Sequence, residues 1–177
     1  MPTRETILNT LAEEQEKLLA RYALFTPEEL ETPCTESEVP GGAPWRPKDH
    51  LAHLALIERA FQGMARRTLK GSADPVGFSR TGATNREEIL AWIHRNNQQY
   101  VEAHHDDSLE TLLADLTDAR KDTLAMLEQL TDEQLAMPIP GAPWGDGTIS
   151  GVLMTNARHA TMHVAWIEEG LRLKAVQ

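Results

Sequence analysis

Apolar residues recur at helical spacing over five stretches of the chain, and nowhere do they alternate with a period of two. Ile7, Leu11, Leu18, Tyr22 and Phe25 predict a first helix over about residues 3–25. A second is predicted from Pro47, a residue favoured in a helix's first turn, to about residue 70, where Gly71 ends it. Its inner face carries His50, Leu54, Ile57, Phe61 and Met64. The third spans about 86–104 with Ile89, Ile93 and Tyr100 turned inward, and the fourth about 109–130 with a leucine stripe from Leu109 to Leu127. The fifth covers about 150–173. Loops rich in Pro, Gly or Thr occupy 31–46, 71–85 and 136–148.

Helices with one apolar stripe and no strands predict an all-α protein, a four-helix bundle with long connections and a short extra helical turn. A weak internal repeat runs through it. Thr26-Pro27-Glu28-Glu29-Leu30, then Gly42-Ala43-Pro44-Trp45, precedes the second helix; Thr131-Asp132-Glu133-Gln134-Leu135, then Gly141-Ala142-Pro143-Trp144, precedes the fifth. Each threonine with its Glu or Gln three residues on forms a capping-box pattern. Either the two segments share turn chemistry alone, or they mark two equivalent halves whose second and fifth helices face one another.

The 177 residues suit one domain, 1–177, and 41% hydrophobic with 25% charged residues excludes disorder as the main state. The formal charge of −10, with Lys and Arg scattered, gives no basic stripe for nucleic acid. No run approaches the length of a membrane span. The first residues carry no signal-peptide pattern, and Cys34 is the lone cysteine, so a cytoplasmic protein is expected.

Chemistry concentrates in the histidines. His159 and His163, one turn apart on the fifth helix, share its inward face with Val152, Asn156, Trp166 and Ile167. His53 points inward on the second helix, with His50 at the margin of that face. Two imidazoles one turn apart can reach one metal ion, and a third from a facing helix completes a three-nitrogen site with an open position for Zn²⁺, Ni²⁺ or Fe²⁺. The spacing alone leaves core histidines as the rival reading. A zinc-protease motif is excluded, because Ala160 stands where its glutamate would follow the first histidine. His104-His105-Asp106-Asp107 reads as an exposed helix end.

Other polar residues interrupt apolar stripes. Arg120 needs a partner inside the fourth helix's leucines, either Glu14 or Glu58 as an ion pair or the anionic group of a substrate. Asn96 and Asn156 are expected on inner faces, lining a pocket, orienting a ligand histidine or satisfied within the core. Trp45 and Trp166 are expected to pack. No basic residue flanks Cys34 to lower its pKa, so it carries no expected chemistry.

Trp45-x-Pro-Lys-Asp-x-Leu-Ala-His53-Leu, the middle segment with Asp118-Ala119-Arg120, and Asn156-x-x-His159-x-x-x-His163 together resemble the DinB/YfiT-like superfamily over about residues 5–172. The resemblance implies a four-helix bundle of unusual connectivity holding a divalent metal on His53, His159 and His163, with Zn or Ni foremost and Fe a further option. His50 does not match a ligand position. Family members with known activity include thiol-dependent isomerases and S-transferases. The implied function is a metal-dependent enzyme that activates water or a low-molecular-weight thiol for transfer or isomerisation on a small electrophile. The alternative is a non-catalytic protein that sequesters a small molecule or metal under stress. The implied partners are a small-molecule substrate and a second copy of the chain.

Overall fold

A computed structural model describes residues 3–176. Its helices are α1 (Arg4–Tyr22), α2 (Pro27–Glu31), α3 (Pro47–Leu69), α4 (Arg86–Ala103), α5 (Leu109–Gln129), α6 (Asp132–Leu135) and α7 (Ile149–Lys174), with a 3-10 turn at Phe78–Thr81 between α3 and α4. Among the described residues there is no strand, and no helix is long and apolar enough to cross a membrane.

The helix starts follow from capping chemistry. The hydroxyls of Thr3, Ser108 and Thr148 and the amide oxygen of Asn85 accept from backbone N–H groups that have no partner within α1, α5, α7 and α4. Both expected capping boxes form: Thr26 with Glu29 opens α2, and Thr131 with Gln134 opens α6. The first helix ends at Tyr22 rather than Phe25. Phe25 lies in the turn to α2, buried edge-on against Tyr22 with ring centres 5.4 Å apart.

Four long helices form the bundle. α3 packs on α5 and α7, and α1 packs on α7 and α5, while α4 lies outside them against α3. The buried apolar residues fall into two clusters. One gathers Ile7, Leu11, Phe61, Leu127, Ile149 and Leu153; the other gathers Leu18, Tyr22, Leu51, Leu112, Leu116 and Ile167. Along the helices, Glu58 on α3 and Arg120 and Thr123 on α5 are buried between the clusters, and the buried Gln62 and Asn156 lie at the edge of the first.

The internal repeat is structural. In each half a long helix is followed by a capped short helix and a loop closed by an isolated antiparallel bridge, Thr35 with Trp45 and Pro138 with Thr148. Each loop feeds a long helix, α3 or α7, and these two pack together in antiparallel fashion. His50 lies beside His163 and His53 beside His159, so numbering rises on one helix as it falls on the other.

α4 departs from its periodicity. Ile89, Ile93 and Tyr100 are only half-buried, whereas Asn97, Gln98 and Val101 are buried. The reason is what α4 docks on. Its amides meet the 35–45 loop: Gln98 Oε1 accepts from the Trp45 indole at 2.8 Å and from Ser37 at 2.6 Å, and Asn97 donates to Glu38 at 2.7 Å. Asn96, expected inward, is exposed.

Candidate metal centre

The site is built where α3 begins. Pro47 supplies a first-turn residue that needs no N–H partner. The Asp49 carboxylate accepts from the Arg46 backbone N–H at 2.7 Å and from its guanidinium at 2.8 Å, fixing the first turn. His105 also receives a hydrogen bond from Arg46, so the end of α4 is tied to the start of α3 rather than being a bare terminus. This geometry turns His50 and His53 toward α7, where both are 1% exposed and His163 is 2% exposed.

Three imidazoles converge through one kind of nitrogen. His159 Nε2 lies 2.9 Å from His163 Nε2 and 3.3 Å from His53 Nε2. Ligand atoms of all three fall within 4.8 Å of one another. A tetrahedral ion about 2.0–2.1 Å from each nitrogen sets them about 3.3–3.4 Å apart, so the cluster has the dimensions of a three-nitrogen site. The donor set fits as well, since three neutral imidazoles suit zinc, nickel or iron(II). The Nδ1 atoms of His53 and His159 are buried and have no hydrogen-bond partner in the protein.

His50, left outside the ligand set by the sequence, joins the cluster from behind. Its Nδ1 lies 2.7 Å from His163 Nδ1, and its Nε2 lies 2.8 Å from the Thr35 hydroxyl. One proton arrangement leaves His163 Nε2 bare for a ligand role: His163 Nδ1–H donates to His50 Nδ1, and His50 Nε2–H donates to Thr35. The Thr35–Trp45 bridge holds that hydroxyl, and the Trp45 ring covers His50 and His53 at 5.3 and 5.1 Å.

Burial keeps these rings uncharged. It pushes the pKa of His50 and of His159 down to about 4, and holds His53 and His163 well below the usual histidine range, where neighbouring imidazoles lower them further. In the unfolded chain they protonate near pH 6.5. Between about pH 6.5 and 4 the unfolded state therefore binds more protons, and stability falls as pH falls. In metal-free protein, each such histidine is expected to remove about 1.4 kcal/mol per pH unit in that window. Urea midpoints from about pH 7 to 5, above the main carboxylate range, measure it. An unchanged midpoint would mean that the rings are protonated in the folded state.

A cleft of about 370 Å³ reaches the cluster and is lined by Cys34, Thr35, Trp45, His50, His163 and Trp166, among others. Trp166 is 49% exposed and stands 4.9 Å from the His163 ring, so it walls the cleft rather than packing in the core. Trp45 packs as expected. Gly170 lets the loop lie on α7, because a Cβ there would strike the Cys34 carbonyl. The fold brings Cys34 to the histidines, which its flanking residues did not indicate. Burial nonetheless raises its pKa to about 11, which keeps the thiol protonated.

The other sequence candidates lie elsewhere. Arg120 is buried and fully engaged: Nε and one terminal nitrogen donate to Glu58 at 2.8 and 2.9 Å, and the other donates to the Leu11 carbonyl at 2.6 Å. Of its two expected partners, Glu58 is the one; Glu14 bonds Lys17 and Thr161 instead. Asn156 is buried beside Arg120 and Glu58 in a cavity of water size, its Nδ2 without a partner, and it bonds no histidine. Asn96 lines a different cavity, against α3 and Trp144.

No curated protein and no solved structure matches the chain. The sequence profile described as the DinB superfamily matches residues 38–167, a span that begins in the loop before α3 and takes in all three converging histidines. With well over half of its length matched and an all-helical bundle carrying that triad, the chain belongs to the DinB superfamily.

Proposed function

We propose that this protein is a divalent-metal-dependent enzyme acting on a small electrophile, with a low-molecular-weight thiol or water as the attacking partner. The observation that carries this reading is the convergence of three neutral imidazoles, one of which, His163, lines an open cleft. A bound divalent ion supplies a Lewis acid that makes a nearby thiol or water more acidic.

The chain's own residues do the rest. His53, His159 and His163 would hold the ion, the first and last of them buried and His159 half-buried, and His50 with Thr35 orients His163. Trp45 and Trp166 give the cleft aromatic walls for an organic substrate, and the protonated Cys34 thiol does not compete as a nucleophile. The Thr35 hydroxyl, at the cleft and bonded to His50, is placed to accept or pass on a proton.

The test compares metal-loaded and chelator-stripped protein across a panel of thiols and electrophiles, with products read by mass spectrometry. Turnover that requires both the ion and the intact triad is expected. Uptake of compound at one equivalent without product would overturn catalysis and leave sequestration as the function.

A further inference from the structure

A second cavity, of about 160 Å³, opens between α3, α4, the 3-10 turn and the loop carrying Trp144. No histidine lines it. Phe61, Met64, Phe78, Trp92 and Trp144 give it apolar and aromatic walls. An apolar cavity of about 150 Å³ accommodates benzene, so this one holds a single ring.

Its one charged wall residue is Arg67. The half-buried Nε of Arg67 donates to the Pro75 carbonyl at 2.7 Å. Among the described residues, no carboxylate lies within ion-pair distance of its guanidinium, whereas Arg46, Arg59 and Arg120 each hold one. Arg80 adds positive charge nearby. Asp74, the carboxylate acting on Arg67 from beyond contact distance, is already engaged: its oxygens accept from the amides of Gly77, Phe78 and Ser79 and from the Ser79 hydroxyl. An aromatic slot is thus lined by an arginine without a counter-ion among the described residues, in a chain of net charge −10.

We propose that this cavity binds a small aromatic carboxylate, its ring against the indoles and Phe61 and its carboxylate on Arg67. A mostly apolar hollow with a few polar groups, here Arg67 with Asn96 and Asn97, is the usual form of such a site. A guanidinium recognises a carboxylate through paired hydrogen bonds. The site rests on its own residues and not on the metal reading.

Tryptophan fluorescence and calorimetry would follow titration with benzoate and 3-phenylpropanoate, beside benzamide and benzylamine as neutral and cationic counterparts. The acids are expected to bind saturably, and benzamide about tenfold or more weakly, the discrimination that a charge-assisted hydrogen bond gives. Arg67→Met should bring acid and amide to within about twofold, and it decides the matter without touching the core. Ala60→Phe, which fills the cavity, should weaken the acids about tenfold or more. His163→Ala should leave acid binding unchanged, which separates this site from carboxylate ligation by an ion. No saturable binding up to about 10 mM, equal affinity for acid and amide, an Arg67→Met chain that binds like wild type, or loss of binding in His163→Ala would each overturn the proposal.

Discussion

His53→Ala and His163→Ala chains are expected to retain no divalent ion after desalting, where the wild-type chain holds about one. The site offers three neutral nitrogens and, within the cluster, no carboxylate or thiolate to add charge. Losing one of three leaves two imidazoles, which hold an ion far more weakly than three held in register. His163→Ala also removes the hydrogen-bond partner of His50. His50→Ala makes the graded contrast: the three ligands stay, but His163 loses the group that orients it. Its affinity should fall by about 10- to 100-fold, the usual effect of removing a ligand's hydrogen-bond partner. Elemental mass spectrometry gives the stoichiometry, and competition with a chelating dye gives the affinities. Because an ion that binds only the folded chain stabilises it, wild-type melting temperature should rise with added Zn²⁺, and that of His163→Ala should not. Stoichiometric metal in either alanine variant would remove the triad as the site. Wild-type affinity in His50→Ala would reduce His50 to a packing residue.

The sequence shows which residues can meet, and it is weaker on what they meet. The i, i+4 spacing placed His159 and His163 on one face, and periodicity turned His53 inward. That the two faces oppose one another depends on helix order in space, for which the repeated threonine-box and Pro-Trp segments were the local sign. His50 was harder to place. At the margin of a helical face a residue is inside or outside according to what covers it, and here the Thr35–Trp45 bridge lays a loop across it. The same limit explains α4. Its period predicts an apolar face toward the core, but α4 docks through Asn97 and Gln98 on a loop, so the amides are buried while Ile89 and Ile93 are only half-buried. Trp166 shares a helical face with His163, yet the cleft leaves that part of α7 uncovered.

Arg120→Met is expected to destabilise the fold by about 3–5 kcal/mol, a large part of the stability of a typical domain. Arg120 and Glu58 are 4% and 1% exposed, and the guanidinium uses three nitrogens on Glu58 and Leu11. Without it, the Glu58 carboxylate stays in the core with only the Thr123 hydroxyl, 2.6 Å away, as a donor. The Leu11 carbonyl loses the guanidinium as well. Glu58→Leu alone strands the opposite charge and should cost a similar amount. The double variant tests whether this loss is the worth of the pair or the penalty of leaving one member alone. With both charges gone the layer becomes apolar, and Thr123 can turn to the Ala119 carbonyl, already 3.3 Å away. The double variant should therefore recover most of the loss and lie within about 1–2 kcal/mol of wild type. Urea unfolding of the four chains gives the coupling directly. Additive losses would show that the two residues act through separate neighbours. An Arg120→Met chain within about 1 kcal/mol of wild type would show that the pair does not hold this layer together. Recovery in the double variant would leave one physical role for the pair. Set between the two apolar clusters, it penalises any sliding of α3 against α5 that separates the charges, and α3 is the helix that presents His53 to α7.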